Sequence, residues 1–116
     1  MAISSGRGPR LIHANDFNIR DVVRREIARQ GQDADLSLVI VDEVTDMSYL
    51  FYDTCFNGNI SEWNVSNVVN MEGMFALSRF DGDLSKWNVS SVKEHSYCFE
   101  DCPIGKHPQK QPKFNL

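Results

Sequence analysis

The sequence predicts an α/β repeat protein, a short solenoid with an amphipathic capping helix at its N-terminal side. Three observations support this prediction. A 24-residue unit occurs about two and a half times, each unit has a helix-like pattern followed by a strand-like one, and a helix-like segment precedes the first unit. Repetition at a fixed period of this size is the sequence signature of proteins built from stacked supersecondary units.

The repeat is seen when residues 44–67 (repeat 1) are aligned with residues 68–91 (repeat 2). Ten of the 24 positions are identical, including a shared Ser-x-Trp-Asn-Val-Ser stretch. A partial copy covers residues 92–103 (repeat 3), and a half repeat at residues 36–43 precedes repeat 1. Because a unit this small cannot bury its apolar side alone, we expect neighbouring repeats to share one core.

Each full repeat combines two predicted elements. Apolar residues at i, i+3, i+6 and i+7 predict one face of a helix; they are Val44, Met47, Leu50 and Phe51, and then Val68, Met71, Met74 and Phe75. Turns follow, in which Gly58 and Gly82 are expected to take a positive φ. Residues 60–63 and 84–87 are candidates for short strands. We expect two aromatic ladders, one of Phe51, Phe75 and Phe99 and one of Trp63 and Trp87.

Residues 15–31 are predicted to form the capping helix. Asn18 is a typical N-cap residue with an acidic residue three positions later, and Gly31 is a typical residue to follow a helix end. One side of this helix is apolar and the other carries arginines; the apolar residues are Ile19, Val22, Val23 and Ile27. Such a cap is needed because the end of a stack would otherwise expose its core.

The chain divides into three parts. Residues 1–14 form an N-terminal basic segment, residues 15–103 form a single repeat domain, and residues 104–116 form a basic tail with prolines and lysines that is expected to be extended or disordered. The net charge is −4, yet residues 32–103 hold thirteen acidic and three basic residues. Since nucleic-acid binding depends on Lys and Arg contacts to phosphate, this acidic middle argues against a nucleic-acid partner.

The sequence has no candidate membrane span, because no uninterrupted apolar run exceeds four residues. The N-terminus lacks the apolar core of an export signal. The chain as written is therefore expected either to be cytoplasmic or to have been stripped of its export signal.

The repeat resembles that of a known family. The pattern Val-x-x-Met-x-x-Met/Leu-Phe, followed by Phe-Asn/Asp-Gly-Asn/Asp-Ile/Leu-Ser-x-Trp-Asn-Val-Ser, is similar to the repeat of the BspA-like leucine-rich-repeat surface proteins and mycoplasma-type lipoproteins, over about residues 36–102. The resemblance implies a leucine-rich-repeat-like right-handed solenoid with a small parallel sheet of about three short strands. It also implies a bacterial surface or secreted protein that binds other proteins, and it brings no catalytic residues.

One cluster could carry chemistry. His95, Cys98 and Cys102 have i, i+3, i+7 spacing and could present three zinc ligands, with His107 as a fourth, or a cysteine nucleophile with a histidine base. The alignment favours a simpler interpretation, because His95 and Cys98 fall on core positions of the other repeats. We therefore expect no metal, no cofactor and no catalytic residue, so that the chain is not an enzyme.

A second motif, Asp81-Gly82-Asp83, could suggest a calcium site. Its counterpart in repeat 1, Asn57-Gly58-Asn59, keeps the turn residues and lacks the charge. The alignment therefore predicts a turn here, not a cation site.

The candidate functional surface is the strand-lined face on which equivalent positions of the repeats differ. We call it the binding face; its residues are Ser61, Glu62, Asn64, Ser85, Lys86 and Asn88. Glu62 in repeat 1 becomes Lys86 in repeat 2, while the core positions stay identical or change only conservatively, as from Ile60 to Leu84. The sequence therefore predicts a non-catalytic protein-interaction module of the bacterial BspA-like type, with an unidentified protein partner.

Two alternatives stay open. An intracellular or phage-encoded effector that binds a host protein through the acidic repeat surface would agree with the missing export signal. Self-association is the other alternative, since no capping helix is predicted beyond Phe99 at the C-terminal end of the stack.

Overall fold

A computed structural model describes residues 10–114 of the 116-residue chain. Most of the predicted basic segment, residues 1–9, and the last two residues of the tail lie outside the described part. The elements in chain order are strand β1 at Ile12–His13, helix α1 at Ile19–Gln30, strand β2 at Val39–Ile40 and two 3₁₀ helices at Pro103–Lys106 and Pro108–Lys110. The two strands pair in parallel, with Ile12 opposite Val39.

The predicted fold class is wrong. Instead of a right-handed leucine-rich-repeat-like solenoid with about three strands, residues 10–114 hold one α-helix and one parallel sheet of two strands, each two residues long. β1 lies in the predicted basic segment, where no element was expected, and β2 lies in the half repeat. The strand candidates at residues 60–63 and 84–87 contain turns instead.

The apolar residues at helical spacing form consecutive turns, not helices. In repeat 1 the N–H of Leu50 donates to the carbonyl of Met47, and the N–H of Tyr52 donates to that of Tyr49, each at 3.2 Å and each three residues back. Side chains with i, i+3, i+7 spacing are therefore buried in the core by consecutive tight turns, which place them on one side of the backbone as a helix would.

Left-handed backbone conformations explain why no helix propagates in the repeats. Two residues in each copy have φ values between 52° and 60°; they are Tyr49 and Asp53 in repeat 1, Gly73 and Leu77 in repeat 2, and Tyr97 and Asp101 in repeat 3. Right-handed helix requires a negative φ at every residue, so each of these positions ends any helical turn before it.

One set of backbone hydrogen bonds between neighbouring repeats runs in one direction, while a few others, such as the bond from the Val69 N–H to the Thr45 carbonyl, run the opposite way. The N–H groups of alternate residues donate to carbonyl groups of the next repeat over 2.7–2.9 Å. The donor–acceptor pairs are Met47–Asn70, Tyr49–Glu72, Phe51–Met74 and Asp53–Ala76, followed by Met71–Glu94, Gly73–Ser96, Phe75–Cys98 and Leu77–Glu100. Each repeat thus has a donor edge toward the following repeat and an acceptor edge toward the preceding one.

The expected phenylalanine ladder is confirmed. The rings of Phe51 and Phe75 stack with centroids 5.5 Å apart, and those of Phe75 and Phe99 with centroids 5.8 Å apart. A second row that the sequence analysis did not predict joins Phe56 to Phe80 at 6.1 Å. Because these rings are almost all fully buried, they contribute much of the core that the repeats share.

The two tryptophans repeat a hydrogen bond, and each packs on the phenylalanine ladder. The indole N–H of Trp63 donates to the carbonyl of Leu36 at 2.9 Å, and that of Trp87 donates to the carbonyl of Ile60 at 3.1 Å. The Trp63 ring lies 6.1 Å from Phe51 between centroids. Each buried indole therefore connects its repeat to the preceding one by a polar contact, where the sequence analysis expected ring-to-ring contact.

Helix α1 is present where the sequence predicted it, and its side chains Ile19, Val22 and Val23 are buried in the core. Its N-terminus differs in detail. The side chain of Asn18 accepts a hydrogen bond from the N–H of Asn15 at 2.7 Å and makes no cap bond to the helix. With 12 residues, α1 is too short to cross a membrane, and none of the helices in residues 10–114 has the required length and apolar character.

The glycines at the equivalent positions 58 and 82 allow close packing and do not adopt a positive φ. Neither Gly58 nor Gly82 has a positive φ, contrary to expectation. A Cβ at Gly58 would lie 1.9 Å from the carbonyl oxygen of Ala34, which no side chain could tolerate. The glycine is therefore needed because the backbone at Ala34, just before the half repeat, approaches so closely.

The C-terminal tail packs against repeat 2, contrary to the expectation that it is extended or disordered. Ile104 is fully buried, and its N–H donates to the carbonyl of Phe80 at 3.1 Å. The N–H of Leu84 donates to the carbonyl of Lys110 at 2.7 Å. The tail thereby supplies contacts on the side of repeat 2 that faces the C-terminal end.

Candidate functional site

All six residues of the binding face are exposed. Four of them belong to turns in which a side-chain oxygen accepts a backbone N–H two residues later. Asn59 accepts from Ser61 at 3.2 Å and Asp83 accepts from Ser85 at 2.9 Å. Asn64 and Asn88 act as acceptors in the same way, toward the N–H groups two residues beyond them. These four residues therefore shape the backbone of the face.

Glu62 and Lys86 are the two remaining residues of the binding face. Each follows a turn serine and precedes a buried tryptophan, so the backbone presents both to solvent at equivalent positions of adjacent repeats. The core residues on both sides of them are equivalent in the two repeats, with Ile60 or Leu84 before and Trp63 or Trp87 after. The face therefore combines a fixed backbone with a charge that changes sign from one repeat to the next.

A groove of about 400 Å³ runs beside the binding face between the turns of repeats 1 and 2. Polar groups of Asn59, Ser61 and Asp83 line it, together with the ring of Phe80. The hydrogen bond from Ser85 and the charge of nearby Lys86 contribute to lowering the pKa of Asp83, so this carboxylate is charged at neutral pH. The groove gives the binding face a recess in which polar groups lie beside the apolar side chains of Ile60, Phe80 and Leu84.

A second surface carries exposed aromatic residues that the sequence analysis did not single out. We call it the tyrosine face; its exposed residues are Tyr49, Tyr52, Leu77 and Tyr97. The rings of Tyr49 and Tyr52 meet edge to face with centroids 5.5 Å apart. Desolvation and a hydrogen bond to the Glu72 carboxylate raise the pKa of Tyr49. The signal in the sequence was a tyrosine at the same position of repeats 1 and 3.

The residues of the possible zinc cluster lie at the C-terminal end of the core. Cys98 and Cys102 are buried, and burial raises the pKa of both thiols. The ring of His95 stacks on Phe114 with centroids 4.1 Å apart. In residues 10–114 no group of three or more His, Cys, Asp or Glu side chains is arranged to hold a metal ion.

His107 pairs with Asp81 of the glycine-centred turn and not with the cysteines. Its Nδ1 lies 2.9 Å from the Asp81 carboxylate, and the Lys110 ammonium lies 3.3 Å from the same group. Burial acts to raise the pKa of Asp81, but the hydrogen bonds from His107 and Lys110 outweigh it and lower the pKa. The turn at Asp81 thus anchors the basic tail, a role that the repeat alignment could not reveal.

A family model matches most of the chain. The family described as Mycoplasma protein of unknown function, DUF285, matches residues 18–114. No curated protein matches the chain. No solved structure matches it either.

Proposed function

We propose that this chain, which belongs to the DUF285 family of mycoplasma proteins of unknown function, is a non-catalytic protein-interaction module. The proposal rests on the surface of the chain itself. The proposed contact surface is the binding face, with Glu62 and Lys86 as the residues that set partner choice. The resemblance of the repeat to BspA-like surface proteins supports a role in binding at a cell surface.

One observation carries this proposal. The backbone around Ser61 and Ser85 is held by the same side-chain hydrogen bonds in both repeats, while the exposed residue between serine and tryptophan changes from Glu62 to Lys86. A rigid surface with one variable charge per repeat costs little to order on binding, and charge complementarity then selects the partner.

Exchange of the two charges tests the proposal. Tagged protein and a Glu62→Lys/Lys86→Glu variant are compared by quantitative recovery of co-purified proteins from the source cells. The matched control is Lys93→Glu/Glu100→Lys, which exchanges the same charges at exposed positions outside the binding face. We expect at least one protein to be recovered about tenfold less with the first variant and equally with the control. Equal recovery with both variants would contradict the proposal.

A second candidate function is favoured by the tyrosine face. Acidic side chains surround its exposed rings, among them Glu72 and Glu94 beside Tyr49. We propose as the alternative that the chain is an effector that covers a basic surface of a host protein. Recovery of the partner in 0.1 M and 1 M salt tests this alternative: binding through this face should fall sharply at high salt, and recovery unchanged by salt would count against it.

A further inference from the structure

The acceptor edge of repeat 1 has no donor within residues 10–114. In repeats 2 and 3 the corresponding carbonyl groups each accept an N–H from the preceding repeat. By register, the equivalent groups in repeat 1 are the carbonyls of Asp46, Ser48, Leu50 and Tyr52. Among the described residues no backbone or side-chain donor reaches these four oxygens. The ladder that joins the repeats therefore ends on this side with its hydrogen-bonding capacity unused.

A cleft of about 520 Å³ lies at this edge, between α1 and residues 49–55. Val23, Ile27 and Leu50 give it an apolar wall, and two arginines of α1, Arg20 and Arg24, line it. The Arg20 guanidinium is 3.5 Å from the Ser48 hydroxyl, so it lies close to the open carbonyl groups. The cleft thus combines backbone acceptors, apolar surface and positive charge.

We propose that this cleft binds an acidic peptide segment of a protein partner, and that the bound segment takes the turn conformation of residues 47–53. The segment donates N–H groups from alternate residues to the acceptor edge and places its carboxylates against Arg20 and Arg24. Addition of a peptide segment to an open backbone edge is a recurrent mode of peptide recognition. The chain itself shows that the edge accepts such a segment, since the turns of repeats 1 and 2 donate to the repeats that follow them in this way.

The charges at the cleft select an acidic occupant. The exposed side of α1 carries four arginines at positions 20, 24, 25 and 29 and one exposed acid, Asp21. Asp21 pairs with Arg24 at 3.2 Å, but both side chains are at least 70% exposed. A surface pair of this kind is weak, so Arg24 can exchange Asp21 for a carboxylate of the bound segment. Asp53 also lines the cleft. Its negative charge disfavours acidic residues of the bound segment at the end of the cleft beside Asp53.

A peptide with the sequence of residues 94–101 carrying the changes Ser96→Glu, Cys98→Glu, Glu100→Gln and Asp101→Asn is a suitable probe. Its three acids lie toward the Ser48 end of the edge, where Arg20 is, and its residues at 95, 97, 99 and 101 correspond to the donors of repeat 1. Binding of the fluorescently labelled peptide to the full chain is measured by anisotropy. N-methylation at the Tyr97 and Phe99 positions removes two donors and should weaken binding about tenfold or more. N-methylation at positions 96 and 98, which donate to no neighbouring repeat, should leave binding unchanged.

Variants of the protein test the charge requirement. Arg20→Glu should weaken peptide binding about tenfold, and Arg25→Glu, on the same helix but outside the cleft, should not change it. Absence of saturable binding at 1 mM peptide, equal loss with both methylated peptides, or equal binding by the Arg20→Glu variant would each overturn the proposal. This site is separate from the binding face, so the Glu62→Lys/Lys86→Glu variant should bind the peptide normally even if the proposed function fails.

Discussion

The carboxylate of Asp16 accepts the backbone N–H groups of Thr45 and Asp46 in repeat 1. In repeats 2 and 3 the equivalent N–H groups are accepted by a backbone carbonyl of the preceding repeat. The Asp16 carboxylate accepts the N–H of Thr45 at 2.8 Å, the N–H of Asp46 at 3.1 Å and the Thr45 hydroxyl at 2.6 Å. The Thr45 carbonyl in turn accepts the two equivalent N–H groups of repeat 2, at 2.8 and 3.2 Å. A side chain ahead of α1 therefore begins the hydrogen-bond pattern that the repeats continue.

Removal of this carboxylate should destabilise the chain. We expect Asp16→Ala to lower the free energy of unfolding by about 1 kcal/mol, because three hydrogen bonds are lost at a site open to solvent. Urea denaturation measures the change. Asp42→Ala, which removes an exposed acid of the half repeat, is the control and should change stability by less than about 0.5 kcal/mol. Equal effects of the two substitutions would contradict the capping role.

The contribution of Asp16 should depend on pH. Partial burial acts to raise the pKa of this carboxyl, but the hydrogen bonds from Thr45 and Asp46 outweigh it and lower the pKa. A group whose pKa is lowered on folding stabilises the folded state above its unfolded pKa of about 3.9 and loses this contribution as the pH falls through the folded value. The stability difference between the unsubstituted chain and Asp16→Ala should therefore be constant from about pH 5 to 7 and shrink below about pH 4.

Gly73 should be intolerant of a side chain. Its φ is 59°, and a Cβ there would lie 2.3 Å from a ring carbon of Tyr49. We expect Gly73→Ala to cost about 1–2 kcal/mol, from left-handed strain and displacement of the ring. A double-mutant cycle separates the two causes: in a Tyr49→Ala background only the strain remains, so the cost of Gly73→Ala should fall. An unchanged cost in that background would show that the ring is not involved.

Trp87→Phe tests the hydrogen bond that joins repeat 2 to repeat 1. The Ile60 carbonyl accepts both the Trp87 indole N–H and the N–H of Trp63, so it keeps one partner in the variant. We therefore expect a loss of about 1–2 kcal/mol from the missing bond and the smaller ring. Trp63→Phe should cost a similar amount, because its indole makes the equivalent bond to Leu36. A neutral Trp87→Phe would argue against the contact.

The three thiols should react at very different rates. Cys55 is exposed, whereas Cys98 and Cys102 are buried with raised pKa values. Because the thiolate is the reactive form, the folded chain at about pH 8 should show one fast thiol with a disulfide reagent and three after denaturation. Cys55→Ser should remove the fast phase. A fast phase that persists in Cys55→Ser would mean that the C-terminal end of the core is open.

The sequence allowed α1 and the phenylalanine ladder to be predicted, since apolar spacing and the repeat register report directly on burial. It did not reveal the turns of the repeats, because a helix and consecutive tight turns give the same spacing at Val44, Met47 and Phe51. The left-handed residues Tyr49 and Asp53 are not glycines, so their φ carried no local signal. Gly73, aligned with Tyr49, was the one available indication.

The candidate site was predictable only in part. The repeat register identifies Glu62 and Lys86 as exposed and variable, but not the turn bonds that make Asn64 and Asn88 structural. The cleft at α1 was beyond prediction because it depends on which carbonyl groups remain unpaired. Such pairing is a property of the folded backbone and not of residue type.

Site-specific photo-cross-linking in the source cells tests the central claim most directly. A photoreactive residue is placed in turn at positions 62 and 86 of the binding face and at the exposed control positions 93 and 100. The account predicts the same covalent adduct with one partner protein from positions 62 and 86, and none from the control positions. Adducts only from positions 93 or 100, or no adduct from the binding face, would contradict it.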